Sequence, residues 1–153
     1  MKKTGFLPRP LMRRIYESVP VPTVDYIVVR RRGRKREFLL GRRANKPYQG
    51  KWFIFGGRVW RGEPLEGTLM RLMRQELGIR PTRATPLMCQ TYFNPPNDMG
   101  VRVHTIYHVY VVIPTRTEIR LSRENRQVKW FSRINPRWPK PVRTALEKAR
   151  FHA

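Results

Sequence analysis

The spacing of apolar residues changes along this chain, and each change marks an element. Between residues 64 and 78, Leu65, Leu69, Leu72, Met73 and Leu77 recur at three- and four-residue intervals, which keeps them on one face of a helix. Gly78 supplies the stop, Pro64 suits a first helical position where no N–H is needed, and Glu66 favours the positive end of the helix dipole. Elsewhere the apolar residues come in short runs. Residues 24–29 and 37–40 read as a strand pair, 51–55 as a lead into the helical region, 87–93 and 101–112 as two longer strands, and 127–131 as another. NPPND and Gly100 form a turn or lip between the two longer strands. Residues 11–18, after the break at Pro8 and Pro10, predict a short helix. Residues 139–151 predict a closing basic helix whose buried contacts are Leu146 and Phe151.

The polar residues that interrupt this pattern carry the candidate chemistry. Gly56 and Gly57 read as a glycine turn, which either lets the backbone approach a ligand and present a carbonyl to a cation, or is a bare turn. Arg71 and Glu76 fall off the apolar stripe, so the core does not require them, and they can flank one site at the helix edge. A carboxylate and an arginine so placed suit a metal held against phosphate. The plainer alternatives are that Arg71 braces the segment by pairing with Glu63 or Glu76 and that Glu76 is a surface charge. Asp25 sits in an apolar strand, where an unpaired carboxylate is costly, so it faces a polar cleft or pairs with a cation such as Arg43. His104 and His108 are four apart on a predicted strand and therefore share a face; His152 belongs to the tail.

Composition bounds the reading. A chain of 153 residues with 40% hydrophobic content suits one domain, residues 1–153, with a short-helix extension over 1–18 and the closing helix over 139–153. No apolar run approaches the ~20 residues needed to cross a bilayer, and the start lacks the unbroken apolar core of a secretory signal, so a cytoplasmic protein is expected. The single Cys89 excludes an internal disulfide and a multi-cysteine metal site, and its apolar surroundings predict a buried structural thiol. The net charge of +23, from 33 Lys and Arg against 10 Asp and Glu, exceeds what one anionic substrate requires. It predicts salt-sensitive, nonspecific attraction to nucleic acid. The densest cluster, residues 30–36, reads either as a solvated hairpin turn or as a nucleic-acid contact.

The stretch GGRVWRGEPLEGTLMRLMRQELGI resembles the Nudix box, whose form is Gly, five residues, Glu, seven residues, then Arg-Glu-apolar-any-Glu-Glu-any-Gly-apolar. Gly57, Glu63, Arg71, Met73, Glu76, Gly78 and Ile79 match in register, while Leu72 and Gln75 stand where the box usually carries glutamates. This reduced box resembles the GDP-mannose mannosyl hydrolase branch. Upstream, VDYIVV, FLLGRRAN and GKWFIFGGR resemble the strands that precede the box in that branch, and put Asp25, Arg43, Trp52 and Arg58 in the matching places. The resemblance spans roughly residues 19–132.

The resemblance implies an α/β (α+β) Nudix fold, a mixed β-sheet sandwiched between α-helices, and a homodimer. It implies magnesium, or manganese in its place, bound by the Gly56 carbonyl, Glu76 and Glu124, with the diphosphate of a nucleotide-sugar substrate held by Arg43, Arg58 and Arg71. Asp25 would hold a sugar hydroxyl or an arginine. Water would attack the anomeric carbon of GDP-mannose or GDP-glucose. The branch takes the water's proton with a histidine, and Asn125 stands in its place, which leaves Glu124, His104 or His108 as the base; His108 is also a substrate contact. Two alternatives stay open: a Nudix diphosphatase that attacks phosphorus, and a catalytically weak Nudix fold that binds RNA through its basic surface.

Overall fold

The computed structural model describes residues 7–119 and 125–153. Their elements run α1 (Arg9–Ser18), β1 (Val21–Arg32), β2 (Lys35–Arg43), β3 (Trp52–Phe53), β4 (Phe55–Arg58), α2 (Leu65–Leu77), β5 (Pro81–Pro96), β6 (Arg102–Pro114), β7 (Asn125–Phe131) and α3 (Lys140–Lys148). The strands form one mixed sheet in the order β3-β2-β1-β6-β5, with β4 also on β1 and β7 also on β2. Only the β1–β6 pair is parallel among these pairings. This is the expected sandwich.

β1 organises the sheet because it is covered on both faces. Val24 to Val29 are buried without alternation, as in strands that lie between two layers of helix. The period of two then sorts them. Val24, Tyr26 and Val28 meet Leu69, Leu72, Met73 and Leu77 of α2, whereas Ile27 and Val29 meet Val142, Ala145 and Leu146 of α3. Each fully buried leucine contributes about 1.5–3 kcal/mol, so the stripe read from the sequence is what seats α2. Gly78 ends that helix in the left-handed conformation at φ 64°, and its N–H bonds Arg74. Pro64 is the N-cap, one position earlier than the sequence reading placed it.

Three further expectations are corrected. Gly56 and Gly57 form no turn; they lie in β4, paired with Asp25 and Val24 of β1. What they supply is the missing side chain. A Cβ on Gly56 would overlap the Asp25 carboxylate and come within 2.7 Å of the Val24 carbonyl, while one on Gly57 would meet Cδ2 of Leu72 at 2.8 Å. Cys89 is exposed, not buried. A register shift between Pro86 and Met88 lets both Leu87 and Met88 pack on the α3-side core, which turns Cys89 to the other face of this edge strand. The cluster at residues 30–36 does form a hairpin, turning at Gly33, yet it is not simply solvated. Arg30 pairs with Glu37 at 2.7 Å and stacks on Trp130, and Arg36 stacks on Phe151.

The two glycines should therefore differ in tolerance. Gly57→Ala is expected to cost about 1 kcal/mol because a leucine methyl can shift, and Gly56→Ala on the order of 3 kcal/mol because it opposes a strand carbonyl and a buried carboxylate. Urea unfolding of both variants checks this, and equal midpoints would contradict it.

Candidate active site

The loop from β4 to α2 is fixed by one arginine. Arg71 meets Glu63 through two parallel bonds of 2.8 and 2.9 Å, donates to the Arg58 carbonyl at 2.9 Å, and lies 3.8 Å above the Trp60 ring. Thr68 Oγ1 and the Trp60 N–H also donate to Glu63. The Arg71 hydrogen bonds hold the Glu63 carboxyl down at about 2, against burial, which pushes the other way. This support for the fold is complete above the ordinary carboxylate range, declines as pH falls below that range, and is gone below about 2. Arg71 thus sits where a brace sits, and it lines neither of the cavities described next.

Two adjoining cavities open beside β4. The first, of about 360 Å3, takes Gly56 and Glu76 in its wall, with Arg9, Arg43 and Lys46 as cations and Asp98 as a second carboxylate. The second, of about 230 Å3, takes Asp25, Arg58, Asn94, Thr105 and Tyr107. Tyr16, Arg43, Lys46, Gly56 and Asn97 border both. Glu76 is buried at 5% exposure, and Tyr26 Oη donates to its Oε2 at 2.7 Å, so it is no surface charge. Tyr26 comes from the centre of β1 and Glu76 from the last turn of α2. The hydrogen bond ties the helix to the sheet at the cavity wall.

Asp25 is the strongly perturbed acid. Burial raises its carboxyl from 3.8 to about 7, opposed by the Thr23 hydroxyl, which donates to it, and by the charge of Arg43. Asp25 thus faces a polar cleft, and Arg43 acts on it through its charge, with no ion pair between the two among the described residues. Arg43 is aimed by its own loop, with Nε donating to the Pro47 carbonyl at 2.7 Å and the guanidinium 5.5 Å from the Phe53 ring. Arg58 Nη1 lies 3.0 Å from Met12 Sδ, which docks α1 over the second cavity. His108 is not brought to either cavity. Strand alternation puts it on the face opposite Thr105 and Tyr107, with Nδ1 3.1 Å from the Thr23 carbonyl, and His104 packs edge-on to Phe93 instead. Glu124 lies outside the described residues.

Several site residues escaped the sequence reading. Asn94, 2% exposed, accepts from Tyr48 and Tyr107 and donates to Thr105, forming a polar network that floors the second cavity. Tyr48 adopts φ 62°, a conformation unfavourable for a bulky residue, and is held there by this bond and by stacking on Phe53 at 5.1 Å. A clue was present: Thr105 and Tyr107 share the period-two face of a strand with Val109 and interrupt its apolar run.

The donor chemistry fits a hard divalent cation. Glu76, Gly56 and Asp98 offer oxygen only, the ligand type magnesium takes, and the basic residues beside them suit phosphate. Among the described residues no three of His, Cys, Asp and Glu converge closely enough to form a metal cage by themselves. A site completed by substrate phosphate or by a later loop accords with that.

The NUDIX domain matches residues 20–150. The chain belongs to the Nudix family. It is similar to the low-salt glycan biosynthesis protein Agl8 of Haloferax volcanii, with 30% identity over 132 residues that cover 85% of this chain and 82% of that protein. Among solved structures it is similar to a MutT Nudix hydrolase from Burkholderia pseudomallei, with a TM-score of 0.72 and 27% identity, covering 86% of this chain and 98% of the other. The Nudix domain of Shewanella oneidensis NrtR, solved with ADP ribose, shares the fold at a TM-score of 0.67 and 19% identity, covering 94% and 97%. Nudix hydrolases act on nucleotide-derived substrates and generally use divalent metals such as magnesium. The Nudix box here therefore accounts for the Glu63–Arg71 brace and for the single box carboxylate, Glu76, at the cavity. No helix among the described residues is long and apolar enough to cross a membrane.

Ionising Asp25 works against folding. Its folded pKa lies above its ordinary value, so the penalty is absent below pH ~4, grows as pH rises to about 7, and is then constant. Asp25→Asn should stabilise the metal-free protein at pH ~8 by up to about 4 kcal/mol and have little effect near pH ~3. Thermal melts of both proteins across this range check it; a pH-independent difference would contradict it.

Proposed function

We propose that this Nudix protein hydrolyses a nucleotide sugar, GDP-mannose or GDP-glucose, to GDP and the free sugar. The observation that carries this reading is the reduced box. The α2 wall presents one cavity carboxylate, Glu76, where Leu72 is buried among apolar residues and Gln75 carries no charge. Attack on phosphorus by metal-activated water draws on a carboxylate cluster, which this helix does not have. Attack on carbon needs mainly a stabilised leaving group. The glycan biosynthesis protein to which the chain is similar favours a sugar-bearing substrate.

In this reading Arg43, Lys46 and Arg9 hold the diphosphate, and Arg58 reaches it from the second cavity. Arginine suits the task because its planar fork binds two phosphate oxygens and keeps its proton. Glu76 and the Gly56 carbonyl would hold a divalent ion, with Glu124 as a further ligand, and the ion would neutralise charge developing on the leaving diphosphate. The sugar lies in the second cavity, where Asp25 hydrogen-bonds its hydroxyls above the closed network that Asn94 makes with Tyr48, Tyr107 and Thr105. The bond from water oxygen to the anomeric carbon forms as the bond from that carbon to the phosphate oxygen breaks, and the water's proton leaves to Glu124, which gives up its place at the ion to act as base. His104 and His108 line neither cavity, so this reading gives the base role to Glu124.

Phosphorus NMR of protein incubated with GDP-mannose and magnesium tests the reading. GDP and free sugar are the expected products, and Glu76→Gln should lower the rate at least ~100-fold while leaving the circular dichroism spectrum unchanged. GMP with sugar phosphate would overturn it in favour of a diphosphatase.

A further inference from the structure

The excess charge is not spread evenly. On the α3 face, a groove of about 610 Å3 runs between the β1–β2 hairpin, β5 and the end of α3, and shares no lining residue with the two catalytic cavities. Asp25 and Val29 are four strand residues apart, which puts the groove ~13 Å along β1 from the site. Its floor is aliphatic, built by Val29, Leu87 and Val111. Its rim is cationic: Arg31 from the hairpin, Arg83 from β5, and Lys148 and Arg150 from the end of α3. No carboxylate lines it, and among the described residues none forms an ion pair with these four side chains.

Like charges have been gathered here at a cost. Arg36 is immobilised, donating to the Ala149 carbonyl at 2.8 Å and lying 4.4 Å above the Phe151 ring. Burial, and then the charges of Arg31 and Arg150, push its pKa down. Arg36 and Arg150 also border a second depression of about 410 Å3, which adds Arg133 and continues the basic track. A single phosphate or headgroup would engage two or three of these cations. A track of this length suits a ligand with several phosphates in series, and its aliphatic floor offers apolar contact, though no aromatic stacking, to exposed bases, which a duplex hides.

We infer that this groove binds single-stranded nucleic acid, phosphates on the Arg31, Arg83, Lys148 and Arg150 rim and bases on the Val29, Leu87 and Val111 floor, independently of the hydrolytic site. The test uses a fluorescein-labelled oligouridylate RNA of about 20 nucleotides and fluorescence anisotropy at ~50 to ~200 mM salt. One variant combines Arg31→Gln, Arg83→Gln and Lys148→Gln, all at exposed positions. A charge-matched control combines Arg61→Gln, Arg74→Gln and Arg137→Gln, exposed elsewhere. The groove variant should bind at least ~10-fold more weakly at low salt, and its slope of log affinity against log salt should fall by about 2, three contacts at ~0.7 each. The control should bind nearly as the parent does, and the groove variant should keep the parent's nucleotide-sugar turnover. Equal losses in both variants would show that net charge alone attracts the RNA and would overturn the inference. So would undiminished RNA binding by the groove variant together with lost binding to phosphatidylserine vesicles, which would assign the groove to a lipid surface.

Discussion

The site depends on the pairing of Arg71 with Glu63. The segment between β4 and α2 has few backbone bonds, from Val59 N–H to the Pro22 carbonyl and from Glu63 N–H to the Trp60 carbonyl, so side chains must fix how it joins the sheet to a helix seated by its apolar stripe. Arg71 supplies that link from inside the helix, reaching back eight residues to Glu63 and also to the Arg58 carbonyl at the end of β4. Its stacking on Trp60 adds contact on the outer face. With both bonds of the fork made and the pair largely shielded from water, this is the arrangement in which an ion pair contributes more than an exposed one does. The consequence lies five residues further along the same helix, where Glu76 arrives at Tyr26 and at the cavity wall.

The sheet contributes the other half. In the antiparallel register of β1 and β4, Asp25 stands opposite Gly56, and only a residue without a side chain leaves space for that carboxylate. Gly57 does the same for Leu72 of α2. The adjacent glycines thus bring a buried acid and a helix close to one strand, and the cavities open where these meet. The basic residues that surround them arrive from α1, from the end of β2 and the loop after it, and from β4, so cations face the space while both buried acids approach it from the core side. That polarity suits a diphosphate on one side and a sugar on the other.

Much of this was legible in the sequence. The apolar stripe of α2 and its Gly78 stop, the apolar strand over residues 24–29, and the conflict posed by Asp25 within it all follow from local pattern, and all persist in the fold. Local pattern misled where tertiary packing decides. Two glycines together look like a turn, yet their role is set by Asp25 and Leu72, which are distant in sequence. Cys89 has apolar neighbours, but a bulge at Pro86 in an edge strand turns it outward. His104 and His108 do share a face, but neither lines a cavity. Asn94, Tyr48, Lys46 and Asp98 become site residues only because the loops that carry them converge, which no periodicity records.

The central claim is that Glu76, fixed by Tyr26 and by the Arg71 brace, is the carboxylate that makes this cavity a divalent-cation site. Titration of manganese into the protein, with free ion read by electron paramagnetic resonance in the presence of GDP, tests it most directly. The account predicts saturable binding by the parent and at least about tenfold weaker binding by a folded Glu76→Gln variant. Equal affinity in the two proteins would contradict it and move the cation elsewhere.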